Sequence, residues 1–412
     1  MLNFKNLINL SKYQLSTKVV LGIETSCDDT AVAIVDSNKN ILASRNISKK
    51  DSQFILGGIC PSVTSELHRN NISKAIEGCM GDSRLRFGDL DAIAVTSRPG
   101  IVLCLKVGAN KAVDLARKYN LPLIPVHHMR AHSLSGGLDK NVTLKYPFVT
   151  LLISGGHSLI AIAHSPVNFE LIGQSEGGSP GECLDKIGRA VGISSMVEYK
   201  NYHTGAIIEK LATEAKNEEN FIKYSIKNPS TKHGNFNFYH IKASYLTLLN
   251  KININEIDLI SFCASVQFTV ASHICSKVHL ILESLRKRNN EAHQLVVSGG
   301  VASNQFIRGC LAKVCKHHNF DMIIPPKELC TDNGEMIAWT GCEIMKYYEE
   351  MNNKDNDDII YDVKDYLYVM DKEDIGKDSS KYWGPQKADK RIVQTSLLPF
   401  EDKLITKLVK KS

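Results

Sequence analysis

The chain has 412 residues, 43% of them hydrophobic and 23% charged, with a net charge of +6. This is ordinary globular composition for one or two domains, and the mild positive charge permits a polyanionic partner without requiring one. No run of 18 apolar residues argues for a membrane span, and the 11 cysteines form no CxxC pair, which argues against a zinc ribbon or a disulfide framework.

In chain order, the first 23 residues carry three lysines and no acid, with Leu2, Phe4, Leu7, Ile8, Tyr13 and Leu15 spaced loosely as one helix face. Residues 1–18 therefore read as a mitochondrial targeting segment or, more blandly, a disordered start. Val19 to Ile23 and Thr30 to Val35 read as two strands around a polar turn that begins at Glu24 and holds Ser26. Asp91 to Thr96 and Leu123 to Val126 read as strands, and Lys106 to Tyr119 as a helix. Phe148 to Ile153 and Leu159 to Ala163 form a second apolar hairpin about the turn Ser154-Gly155-Gly156-His157, so a duplicated α/β lobe is expected. Ile257 to Leu285 reads as a long helix, Gln294 to Val297 as a strand before Gly299-Gly300, Ile323-Ile324 as a short strand and Gly334 to Tyr348 as a helix. Alternating strands and helices indicate the α/β class. Residues 351–412 carry twelve acidic and twelve basic residues and read as a weakly ordered polar tail, either a solvated segment or one whose basic end touches RNA. The expected division is 19–145 as lobe I, 146–320 as lobe II and 321–350 as a return to lobe I.

His128 and His132 are spaced i, i+4, which on a helix puts both imidazoles on one face, near enough to share a metal ion. Most such pairs only pack, and two histidines need a third ligand. Asp332, just before a helix, can supply it, although Asp332 and Glu335 also fit a capping box. Pro125 reads as a helix entry. Paired glycines in the Ser154–His157 turn and at Gly299-Gly300 let a backbone approach a phosphate, or merely turn the chain. Asp185 and Asn304 can hydrogen-bond a ribose or base edge, or can be a helix-start acid and an N-cap.

The blocks GIETSCDDT (22–30), HHMRAH (127–132), LLISGGHS (151–158), GECLDKIGRAVG (181–192), VVSGGVASNQFIR (296–308) and CTDNGEMIAW (330–339) occur in one order and spacing. Together they resemble the tRNA threonylcarbamoyladenosine transferases, once described as O-sialoglycoprotein endopeptidase-like, and most closely the mitochondrial branch. The resemblance covers roughly 19–348. It implies an α/β fold of the actin and sugar-kinase type, with two RNase-H-like lobes around a nucleotide cleft. It implies one divalent metal ion per subunit, iron or zinc, on His128, His132 and Asp332. It places Ser154, Gly155, Gly156 and His157 on the phosphate and acyl part of threonylcarbamoyl-AMP, Asp185, Gly205 and Asn304 on the adenosine, and Gly300 among the substrate-binding residues. Glu24 and Ser26 would face the reacting group. The implied partners are tRNA and a separate synthetase that supplies the adenylate, in a homodimer within the mitochondrion and without a membrane.

The chain departs from the family pattern at Glu176-Gly177-Gly178-Ser179-Pro180, at His203-Thr204-Gly205 and in its C-terminal ending. A small-molecule kinase of the same fold and a non-catalytic scaffold remain as alternatives. A metalloprotease is disfavoured because Met129 follows His128 where HExxH needs its glutamate. Candidate RNA-binding clusters are Lys106, Lys111, Arg117 and Lys118; Lys223, Lys227 and Lys232; and Arg286-Lys287-Arg288.

Overall fold

The structure, a computed structural model, describes residues 17–48, 60–200, 202–231, 234–351, 358–383 and 397. Most of the expected targeting segment, Lys232 and much of the C-terminal segment lie outside these residues. In chain order the main elements are β1 (Val19–Glu24), β2 (Thr30–Asp36), β3 (Ile41–Ile47), α1 (Pro61–Ser83), β4 (Ala92–Arg98), α2 (Val102–Tyr119), β5 (Leu123–His127), α3 (His128–Leu134), β6 (Phe148–Ile153), β7 (Ser158–Ala163), β8 (Phe169–Gln174), α4 (Pro180–Ala190), α5 (Thr204–Ala212), α6 (Glu218–Ile222), α7 (Phe238–Leu249), α8 (Leu259–Lys287), β9 (Gln294–Ser298), α9 (Gln305–His318), β10 (Asp321–Ile323), α10 (Gly334–Glu350) and β11 (Lys377–Asp378). The chain forms two compact units, one from Met1–Ala131 with Asp332–Lys372 and one from His132–Thr331 with Glu373–Ser412.

In the first unit the strand order is β3-β2-β1-β4-β5. β2 runs antiparallel to β1 and β3, while β1, β4 and β5 are parallel. The alternation of side chains along β1 assigns the two faces. Leu21 and Ile23 pack with α1 and α2 through Ile72, Ile76, Ala112 and Ala116. Val20 and Gly22 face α10, where a Cβ on Gly22 would lie 2.3 Å from the Ala338 amide nitrogen and one on Gly334 would lie 2.5 Å from that of Ala33. These two glycines let α10 lie directly on the backbone of β1 and β2. Pro125 lies inside β5 and is not a helix entry; β5 is the last strand of its sheet, where a missing amide is tolerated.

In the second unit the order β10-β9-β6-β7-β8 repeats the same pattern, with β7 antiparallel to β6 and β8, and with β6, β9 and β10 parallel. The duplicated lobe suggested by the two hairpins is therefore present in the topology, with β11 added beside β8. α8 is the unit's central helix. Its length and composition would suffice to cross a membrane, but most of it is buried, with Phe262, Val266, Val270, Ile274 and Ile281 in the core. Some of the described residues after α10 make backbone and side-chain contacts with the two units. In the first unit Ile360 pairs with Leu123 and the Met370 amide donates to the Ser97 carbonyl at 3.1 Å. In the second, the Trp383 indole donates to Glu170 at 2.9 Å.

The close helix–sheet contact gives a direct test. Gly22→Ala or Gly334→Ala should destabilise by about 1–3 kcal/mol through overpacking. Gly81→Ala, in α1 with nothing within 4 Å of a Cβ, should be neutral or stabilising by about 0.5–1 kcal/mol. Thermal denaturation of the three variants measures both.

Candidate active site

β5 ends at His127 and α3 begins at His128, so the chain turns directly from sheet into helix at the first histidine. His128 and His132 are each 5% exposed. The His128, His132 and Asp332 side chains offer ligand atoms that all lie within 4.8 Å of one another. Two imidazoles and a carboxylate in that arrangement match the donor set of a single transition-metal ion. Asp332 is not the cap of α10. Asn333 is, accepting the Met336 amide at 2.7 Å, and Glu335 instead accepts from the Ser44 hydroxyl at 2.6 Å. The capping-box reading is thereby corrected, and the Asp332 carboxylate reaches His128 Nε2 at 3.5 Å.

Behind His128 stands Glu24, the last residue of β1, which is 0% exposed. Its Oε2 lies 3.1 Å from His128 Nδ1. It also accepts from the Thr96 hydroxyl and the Ser26 amide, each at 2.5 Å. The Ser26 hydroxyl lies 3.3 Å from the same Nδ1. Glu24 and Ser26 therefore address the imidazole of His128, which leaves Nε2 toward Asp332. This is a carboxylate–histidine arrangement of the kind that fixes the tautomer of a metal-ligating imidazole. Burial pushes the Glu24 carboxyl up, but the charge and hydrogen bond of His128 outweigh it and hold the group below the usual carboxylate range. Burial favours neutral His128, yet Asp332 and Glu24 push its pKa up to about 10, so the pocket around this ring favours positive charge. Thr96 escapes sequence reading. It comes beside Glu24 only because β4 runs parallel to β1 with Val95 opposite Ile23.

In the second unit the turns that hold Ser154–His157 and Gly299-Gly300 lie at the carboxyl ends of the neighbouring parallel strands β6 and β9, the end at which open α/β sheets bind ligands in general. Ser154 Oγ accepts the Gly156 and His157 amides at 3.3 and 3.0 Å, so these amides turn inward while the serine hydroxyl keeps its own proton to donate. Ser179 caps α4 by accepting the Glu182 amide, donates to the Gly155 carbonyl and precedes Pro180 at the first helical position. The family departure at Ser179-Pro180 thus forms a sound helix start tied to the glycine turn. Gly299 is needed by the fold: its φ is +96°, and a Cβ there would lie 2.4 Å from the Ile153 carbonyl oxygen. A Cβ on Gly155, Gly156 or Gly300 would meet nothing within 4 Å. Neither packing nor positive φ requires glycine at those three places.

Asp185 lies inside α4, paired with Arg189 at 2.9 Å, and does not open the helix. Gly205 is in the first turn of α5, with Leu184 of α4 4.0 Å from a Cβ there. Asn304 caps α9, accepting the Ile307 amide at 3.0 Å, and donates to Gln267 at 2.8 Å. The N-cap reading of Asn304 holds, and Gln267 is a partner no local sequence signal shows. Of the basic clusters, Arg117 pairs with Asp365, Lys223 with Asp258 and Lys287 with Glu283, while Arg288 stacks on Trp383.

The family model of the tRNA N6-adenosine threonylcarbamoyltransferases matches residues 40–339. A Caenorhabditis elegans protein named as a probable mitochondrial tRNA N6-adenosine threonylcarbamoyltransferase is 45% identical over 365 residues, 88% of this chain and 85% of that protein. The human protein named as the mitochondrial enzyme is 37% identical over 80% of this chain and 81% of its own length. A Wolbachia relative is 36% identical over 81% of this chain and 96% of its own. Among solved structures, T. kodakarensis HypF is similar with TM-score 0.52 and 15% identity over 81% of this chain and 48% of that chain, which shows the actin and sugar-kinase-like fold. Neither the kinase nor the scaffold alternative is favoured by these matches. From these matches, the chain belongs to the tRNA N6-adenosine threonylcarbamoyltransferase family, as a mitochondrial transferase of tRNA modification.

Proposed function

We propose that the chain transfers threonylcarbamoyl from threonylcarbamoyl-AMP to the N6 amine of the adenosine 3′ of the anticodon, in tRNAs reading ANN codons, and releases AMP. The observation that carries the reading is the array Glu24–His128–Asp332, in which Glu24 and His128 are buried and Asp332 half-buried, with His132 one helical turn on. In the reaction the amine nitrogen forms a bond to the carbamoyl carbonyl carbon. The bond from that carbon to the phosphate oxygen breaks, AMP leaves with the electron pair, and the amine gives up a proton.

His128, His132 and Asp332 would hold iron or zinc, either of which suits this donor set. When bound, such an ion supplies Lewis acidity toward the substrate's carbonyl oxygens. Glu24 is a positioning residue, holding His128 Nδ1 so that Nε2 is presented, and Ser26 supports the same nitrogen. In the second unit the Ser154 hydroxyl and the open faces of Gly155, Gly156 and Gly300 would take the phosphate and acyl portion, with His157 at the end of the turn. The Asp185 carboxylate retains lone-pair capacity for a ribose hydroxyl beside Gly205. Asn304, 6% exposed and engaged at both ends of its amide, would set the Gly300 turn from behind. Holding adenylate and base in attack geometry lowers the barrier by removing translational freedom. The adenylate would come from a separate synthetase, and the chain would act as a homodimer.

Reconstitution with unmodified tRNA, threonine, bicarbonate, ATP and an adenylate-forming synthetase, read by nucleoside mass spectrometry, tests this. The wild type should form threonylcarbamoyladenosine and a His128→Ala, His132→Ala chain should not; equal product from both would remove the metal site from the account. Glu24→Gln should lower metal affinity by roughly 10–100-fold while keeping the fold, as measured by competition with a chelator. Binding of tRNA should weaken with added salt, as phosphate contacts require; a salt-independent affinity would remove the basic clusters from consideration.

A further inference from the structure

Away from these residues, the second unit carries another group of metal-type donors. His279 and Glu283 are spaced i, i+4 on α8, while His317 and His318 end α9. The three histidines offer ligand atoms that all lie within 4.8 Å of one another. His279 and His318 are 5% and 6% exposed, and His317 is exposed to solvent. We propose that His279, His317 and His318 form a second metal site, a three-imidazole centre for a zinc-class divalent ion, open to solvent on the His317 side.

Three features support it. First, His318 Nε2 and His279 Nδ1 face each other at 2.9 Å. Two zinc-bound nitrogens in tetrahedral geometry lie roughly 3.3 Å apart, given metal–nitrogen distances of about 2.0–2.1 Å, so insertion needs only a few tenths of an ångström. Second, Glu283 Oε2 lies 3.8 Å from His279 Nε2, the ring nitrogen that does not face His318. At that distance the carboxylate places negative charge beside the ring, without the hydrogen bond that Glu24 makes to His128. Glu283 is itself anchored by Lys287 at 2.9 Å. Third, all the donors are imidazole nitrogens, which suit zinc, copper, nickel or iron and not magnesium or calcium. The C-terminal end of α9 also presents the negative end of its helix dipole to a cation. An ion held there would tie α8 to the end of α9, two helices that pack through Cys275, Ile281, Leu311 and Val314.

The test titrates the untagged full-length chain with Zn²⁺, and separately with Co²⁺ followed by its visible absorption. Alongside run His317→Ala, the His128→Ala, His132→Ala chain, and the combination. The expected result is that His317→Ala binds one ion fewer than the wild type, that the combined variant binds one fewer than the His128→Ala, His132→Ala chain, and that Zn²⁺ raises the wild-type Tm more than that of His317→Ala. Should His317→Ala fold poorly by circular dichroism, His317→Gln serves with the same expectation. Equal stoichiometry in wild type and His317 variant overturns the proposal, whatever the other variant does, so failure here is distinguishable from failure at the first site.

Discussion

The contact on which the candidate active site depends is the close approach of α10 to β1 and β2. Gly22 and Gly334 let the helix backbone sit against the strand backbone. The residues just before the helix are then fixed relative to the ends of β1 and β5. Glu24 ends β1, His128 follows β5 and Asp332 precedes α10. Three segments far apart in sequence thus converge because one helix lies unusually low on one sheet. A side chain at either glycine would lift the helix and move Asp332 from His128.

Electrostatics follow from that convergence. Glu24 and Asp332 flank one buried imidazole from opposite nitrogens. The site gathers negative charge where water is scarce, an arrangement that favours a cation. The second unit solves a different problem with the same topology. Its parallel strands end in turns where Gly155, Gly156 and Gly300 face open space, and Ser179 ties one of those turns to the start of α4.

Much of this was legible in the sequence. The hairpins Val19–Asp36 and Phe148–Ala163, the α2, α8 and α10 helices and the grouping of His128, His132 and Asp332 follow from periodicity, spacing and the block resemblance. What escaped depends on tertiary contact. Nothing local shows that Asn333, and not Asp332, caps α10. Pro125 looked like a helix entry because an edge strand that tolerates proline is defined by the sheet, not by the residue. Thr96, Gln267 and Ser179 take their places through strand register and helix packing. The acidic and basic texture after α10 concealed backbone pairing at Ile360 and Lys377–Asp378, because strand addition to an edge needs few apolar side chains.

The central claim is that this chain modifies mitochondrial tRNA through a site that contains Asp332. Its most direct test is complementation of cells that lack their own mitochondrial threonylcarbamoyltransferase, with threonylcarbamoyladenosine measured in purified mitochondrial tRNA. Asp332→Asn is the informative variant, since Asp332 does not cap α10 and the change is nearly isosteric. The account predicts that the wild-type chain restores the modified nucleoside and Asp332→Asn does not, at equal protein abundance. Equal restoration by both chains would contradict it.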